Sequence, residues 1–93
     1  MTKKDIIELA QEQLSEYPKA DVAHAIDIIF DSMKESLLRG ERIEIRDFGV
    51  FLVKEREPRI GRNPKTGDQV QVPGKRVPFF KVGKELKKMV DHQ

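Results

Sequence analysis

The sequence predicts an α+β fold in which helices precede a small antiparallel sheet and a protruding ribbon. Three observations carry that reading. Residues 1–40 place apolar side chains at helical spacing. Arg42-Ile43-Glu44-Ile45-Arg46 and Gln69-Val70-Gln71-Val72 alternate strictly between polar and apolar, the pattern of half-buried strands. Between extended runs lies Pro58-Arg59-Ile60-Gly61-Arg62-Asn63-Pro64-Lys65-Thr66-Gly67-Asp68, which is polar, basic and turn-forming. Pro64 presets φ for a turn and Gly67 permits positive φ, so this stretch is expected to tip a long hairpin flanked by Phe51 to Arg56 and Gln69 to Val72.

In chain order, Thr2 is placed to N-cap a first helix, with Asp5 three residues on as a relative of the capping box. Ile6, Ile7, Ala10 and Leu14 carry that helix to about Ser15, and Tyr17-Pro18 ends it, because a residue before proline avoids the helical region. Lys19 to Arg39 is a longer helix with a wide apolar stripe (Val22, Ala23, Ile26, Ile29, Phe30, Met33, Leu37), and Gly40 stands at its C′ position. Ile43 and Ile45 are the inward side of a first strand, Asp47-Phe48-Gly49 a tight turn, and Val50 to Val53 a second strand entering the hairpin. Val77-Pro78-Phe79-Phe80 returns as a third strand, and residues 83–93 form a short terminal helix touching through Leu86, Met89 and Val90. Pro58, Pro73 and Pro78 lack the amide N–H that a ladder needs, so they belong on sheet edges.

The 93 residues make one small domain without cysteine. A single core of this size supplies only about 3–5 kcal/mol. The apolar stripe of the second helix also exceeds what one short helix can cover, so a second chain is expected to complete the body. No apolar run is long enough to span a bilayer and no signal peptide is visible, which makes the cytoplasm the default location. The net charge of +2 conceals a separation: residues 1–53 sum to −4, residues 54–76 to +4 and residues 77–93 to +2. That asymmetry points to a polyanionic partner for the C-terminal half. His24 and His92 stand too far apart to suggest a metal site. No glycine-rich phosphate loop follows a strand, and no carboxylate pair is singled out. The sequence therefore offers no enzyme, no cofactor, no metal, no membrane partner and no small-molecule substrate.

Gly40-Glu41-Arg42-Ile43-Glu44-Ile45-Arg46-Asp47-Phe48-Gly49-Val50-Phe51, the Pro58 to Gly67 string and Val77 to Lys87 together resemble the HU/integration host factor family of bacterial histone-like DNA-bending proteins. The resemblance covers essentially the whole chain. It implies an intertwined dimer: a helical-hairpin base (1–40), a three-stranded antiparallel saddle (41–53 and 77–82), a DNA-binding β-ribbon arm (54–76) and the C-terminal helix. It also implies residence on the nucleoid and binding of double-stranded DNA through its minor groove, which a proline at each arm tip bends by wedging.

Pro64 suits a wedge because it is compact, rigid and brings no N–H to be stranded in the base stack. Spacing alone favours the plainer role of shaping a turn, and it is the surrounding family motif that turns the reading to a wedge. Arg56, Arg59, Arg62, Lys65, Lys75 and Arg76 are the arm cations. Their spacing does not put them all on one face, so some are expected at phosphates and others in the groove, where arginine senses width and potential. Asn63 can bond its own turn or reach a base edge. Arg42, Glu44 and Arg46 share one strand face, where a charge ladder is the plain alternative; their pattern is similar to that of the integration host factor beta chain, and Arg46 is the expected sequence-dependent contact. Lys3, Lys84 and Lys87 sit near helix N-termini, which attract phosphate. Phe30, Phe48, Phe51 and Phe79 are assigned to the dimer core, with Phe80 facing the other way if the strand is regular. Two readings remain open inside the family, a non-specific HU-like homodimer and a sequence-preferring subunit that pairs with a paralogue. Outside it stands a dimeric scaffold binding RNA or an acidic protein.

Overall fold

Helix α1 (Lys3–Gln13) starts where the sequence places it, on a reciprocal capping box. The Asp5 amide donates to Thr2 Oγ1 at 3.2 Å, and the Thr2 amide donates to Asp5 Oδ2 at 2.8 Å. Its end comes earlier than Ser15. Leu14 leaves helical geometry at φ −119° and ψ 47° while its amide still donates to the Ala10 carbonyl at 2.9 Å. The Gln11 side-chain amide then donates to the Tyr17 carbonyl at 2.9 Å, fastening the turn that leads to Pro18. Helix α2 (Lys19–Leu38) follows. The computed structural model describes residues 1–92, so Gln93, the last residue of the expected terminal helix segment, lies outside the described residues. The chain divides into two compact units, Met1–Glu35 and the remainder from Ser36 onward.

In the first unit the core is sparse. Only Val22 and Ile26 are buried among the described hydrophobic residues, while Ile29 on the same predicted stripe is 57% exposed and Phe30 half-buried. Two buried aliphatic side chains contribute about 1.5–3 kcal/mol each, far below the conformational entropy of ordering two helices. The width of the stripe thus leaves apolar surface uncovered within one chain.

The second unit begins with the end of α2. Gly40, at φ 79°, donates to the Leu37 carbonyl at 3.0 Å and the Glu41 amide to Ser36 at 2.9 Å, the paired bonds of a Schellman cap that places glycine at C′. Strands β1 (Ile43–Ile45), β2 (Gly49–Arg56) and β5 (Lys75–Val82) form one antiparallel sheet in the order β1-β2-β5, and β3 (Arg59–Arg62) pairs with β4 (Gln69–Val72) in a separate two-stranded sheet. The β1–β2 turn is closed by the Phe48 amide on the Ile45 carbonyl at 3.0 Å, with Asp47 at φ 65°. Helix α3 (Lys84–Asp91) closes the description. Pro78 lies in β5, which among the described residues borders only β2, as an amide without a proton requires.

Two expectations change. The hairpin is not one continuous ribbon in which β2 faces Gln69–Val72. Arg59–Arg62 is itself a strand and takes that partner, while β2 pairs along its length with Lys75–Val82. The ladder is interrupted at Glu57-Pro58 and Pro73-Gly74, where two prolines withhold donors. There a Cβ on Gly74 would stand only 2.9 Å from the Arg56 carbonyl oxygen. The second correction concerns Phe79. Register pairs Phe51 with Phe80 and Leu52 with Phe79, so it is Phe80 that joins Phe48 and Phe51. Its ring centroid lies 5.6 Å from Phe48 and 4.7 Å from Phe51. Phe79 points to the opposite side of the sheet, where strand alternation must send it.

Candidate nucleic-acid interface

Cross-strand pairs share a face, so the register sorts the charges. One face of the three-stranded sheet carries Glu44, Val50, Leu52, Lys54, Arg56, Lys75, Val77, Phe79 and Lys81; the other carries Ile43, Ile45, Phe51, Val53, Phe80 and Val82. The second face also carries Glu55 opposite Arg76 at its arm end, so the first face is the more basic of the two, with Lys54, Arg56, Lys75 and Lys81 against one carboxylate. Glu44 is the one carboxylate among the strand positions of the basic face, and Arg42 Nε lies 3.1 Å from its Oε1. This pair sits next to exposed Arg46, which enters the β1–β2 turn. The three residues that the sequence grouped are thus neighbours on one short segment.

The arm brings the next group together. Arg59 is opposite Val72 and Arg62 opposite Gln69, which puts the two guanidinium groups on opposite faces of the ribbon. At the tip, Asn63 holds the loop. Its Oδ1 accepts the Lys65 amide at 2.8 Å, its carbonyl accepts Gly67 at 2.7 Å, and its own amide donates to the Asp68 carbonyl at 2.8 Å. Asn63 thus engages its Oδ1 and its backbone in the turn. Gly67 at φ 78° supplies the left-handed residue the loop needs, and Pro64 stands exposed at the apex.

Among the described residues, none of Arg56, Arg59, Arg62, Lys65, Lys75 and Arg76 forms an ion pair, and all six are exposed. The ion pairs lie elsewhere. Lys3 Nζ sits 2.7 Å from Asp27 Oδ1, and this hydrogen bond and its charge hold the lysine pKa above its ordinary value and the carboxyl below its own. Lys3 thus has one carboxylate partner, and its ammonium keeps further N–H donors toward solvent. Arg39 likewise donates to Glu41 at 2.9 Å, which lowers the Glu41 pKa. Lys84 and Lys87 occupy the first turn of α3, whose N-cap Gly83 offers no side-chain acceptor to the free amides.

Phe30 lies in the first unit and the ring cluster in the second. Sequence reasoning passed over Lys54, whose ammonium stands 3.7 Å from the centroid of the Phe79 ring. Lys54 follows the unbroken apolar run Val50–Val53, so its face could be assigned only once the β2–β5 register was known. Among the described residues, no group of three or more His, Cys, Asp or Glu side chains is arranged to hold a metal ion, and no helix is long and apolar enough to cross a membrane.

Comparison with known proteins places these features in context. The family model described as bacterial DNA-binding protein matches residues 1–91. An integration host factor subunit beta from Marinomonas sp. (strain MWYL1) is 53% identical over 91 residues, covering 98% of this chain and 89% of that one. The corresponding subunit of Dechloromonas aromatica (strain RCB) is 50% identical over 91 residues, covering 98% and 97%. Among solved structures, the Anabaena HU–DNA cocrystal structure matches with a TM-score of 0.81 at 30% identity, covering 98% of both chains. HU from Thermotoga maritima matches with a TM-score of 0.65 at 30% identity, covering 98% of this chain and all of that one.

Proposed function

Given that the chain belongs to the bacterial DNA-binding protein family, alongside HU and the integration host factor beta subunits, we propose that it is an architectural protein of the nucleoid that binds and bends duplex DNA as a dimer. The observation that carries this reading is the arm: a two-stranded ribbon with exposed, unpaired cations and a proline at its apex. Such a ribbon buries too little to be stable alone and gains its order against a partner. Arm cations displace counterions from phosphates, and each phosphate neutralised steepens the log–log salt dependence by about 0.9. Pro64 enters a base step from the minor groove, and the cost of unstacking is offset by the longer contact a bent duplex makes with the protein. Asn63 fixes the loop that aims Pro64. Lys3, Lys84 and Lys87 serve the flanking phosphates.

The dimer rests on the apolar surface one chain leaves open, including Ile28 at 52% and Ile29 at 57% exposed in α2 and Phe48 at 44% in the ring cluster. Phe30, Phe48, Phe51 and Phe80 are the aromatic members of its core. The bending is architectural, with no covalent step.

Between the two family roles, the sequence-preferring one is favoured by the Arg42–Glu44 ion pair beside Arg46, because a paired carboxylate restricts how Arg42 can meet a groove. In this reading the chain works with a paralogue, and Arg46 makes the contact sensitive to sequence. Affinities for a panel of duplexes at one fixed salt concentration test it. A specificity ratio of about 10³ or more supports this role, and a ratio near one supports HU-like binding. Easy displacement of duplex by RNA or an acidic protein at physiological salt would count against the DNA reading altogether.

A further inference from the structure

We propose that Lys54 and Phe79 form a phosphate-contact unit on the sheet, in which the ring positions the ammonium. This rests on the duplex-binding reading and extends it from the arm to the body. Lys54 pairs with Val77 and Phe79 with Leu52, so Phe79 is the diagonal neighbour of Lys54 on the same face, a separation that aromatic and long side chains can span. The ammonium lies 3.7 Å from the ring centroid. Phe79 lies on the opposite face of the sheet from the Phe48, Phe51 and Phe80 cluster, so its ring is not part of that apolar packing.

A ring face engages one side of an ammonium and leaves N–H donors directed away from it, available to an anion. Among the described residues Lys54 forms no ion pair, and Glu44, the one carboxylate at the strand positions of this face, is engaged by Arg42. Arg56, Lys75 and Lys81 share the face and extend its positive field. A free lysine must be ordered to hold a phosphate; one already resting on a ring loses less freedom when the phosphate arrives. Phe79 is thus a positioning residue and Lys54 the contact.

The test is a fluorescence-anisotropy titration of a linear duplex across a salt series with the parent protein, Lys54→Gln, Phe79→Leu, Phe79→Trp and the Lys54→Gln/Phe79→Leu double variant. Lys54→Gln is expected to reduce the log–log slope by about 0.9. Phe79→Leu, which keeps apolar bulk but removes the π face, is expected to weaken binding about two- to fivefold, and Phe79→Trp to restore it, since tryptophan offers the strongest ring. In the Lys54→Gln background Phe79→Leu is expected to add nothing. An unchanged slope in Lys54→Gln overturns the proposal, as does an equal loss from Phe79→Leu in both backgrounds. Lys54→Gln alone decides the matter if the leucine variant does not fold. A parent protein that fails to bind duplex refutes the DNA reading itself, a different result from a parent that binds without using Lys54.

Discussion

The three-stranded sheet and the arm are built from the same material and reach different ends. Both are antiparallel, and only Glu57-Pro58 and Pro73-Gly74 separate them. In the sheet, alternation gathers Phe51 and Phe80 on one side, where Phe48 joins them. In the arm, Ile60 faces the side of Gln71 while Val70 faces the side of Gly61, so the apolar residues fall on opposite faces, 67% and 43% exposed. Backbone ladders are alike in the two. What differs is the side chains that each ladder can bury, and that difference separates a scaffold from a limb that takes its order from a ligand.

The comparison can be broken most forcefully at the ring cluster. Phe80→Ala should lower unfolding stability by about 2–3 kcal/mol, somewhat less than a fully buried phenylalanine, while Phe79→Ala should cost under about 1 kcal/mol. Denaturant melts of the two variants read this directly, and equal losses would show that the two faces are not distinct. Gly49→Ala probes the same packing from the backbone. Its Cβ would stand 2.5 Å from the Lys81 carbonyl oxygen and 2.6 Å from the Phe80 ring, so about 1–3 kcal/mol of destabilisation is expected. A neutral effect there would mean that the sheet yields more easily than its register suggests.

Hydrogen exchange sharpens the comparison from the other side. Amides of Arg59–Arg62 and Gln69–Val72 should exchange fast in the free protein and slow down with duplex, whereas the β2–β5 ladder should be protected throughout. Strong protection of the arm without DNA would show that it has another support.

The smallest effect concerns the Lys3–Asp27 pair, exposed in the helical unit. Because the Asp27 pKa is depressed in the folded state, its contribution is present above the ordinary carboxylate pKa and lost as pH falls through the lower folded value. The Lys3 pKa is raised, so its share persists until pH climbs past the ordinary lysine value. Melting temperatures followed down to about pH 2 should therefore fall slightly less for Asp27→Asn than for the parent. Parallel curves would remove the pair from the account.

Most of the helical architecture was legible, since Thr2 with Asp5, Pro18 and Gly40 mark ends by local chemistry that needs no tertiary knowledge. The arm tip was equally legible: Asn63, Pro64 and Gly67 dictate a turn wherever they occur together. Register was not. Gln69–Val72 alternates in a way that suits either Phe51–Arg56 or Arg59–Arg62, and only the ladder decides, aided by prolines that break it at Pro58 and Pro73. The misplaced Phe79 has the same origin, for two adjacent phenylalanines on a strand must face opposite ways and the sequence does not say which faces inward. Lys54 was overlooked in consequence, its significance depending on the ring beneath it.

The central claim is that the arm orders itself on duplex DNA and its proline opens a base step. Energy transfer between dyes at the two ends of a linear duplex tests it most directly, with the parent protein compared against Pro64→Ala. The expected result is a strong rise in transfer with the parent and a much smaller one with the variant, although the variant loses less than about tenfold in affinity, or about 1.4 kcal/mol, because its phosphate contacts survive. A parent that saturates the duplex yet leaves it straight, or a variant that bends it equally, would contradict the account.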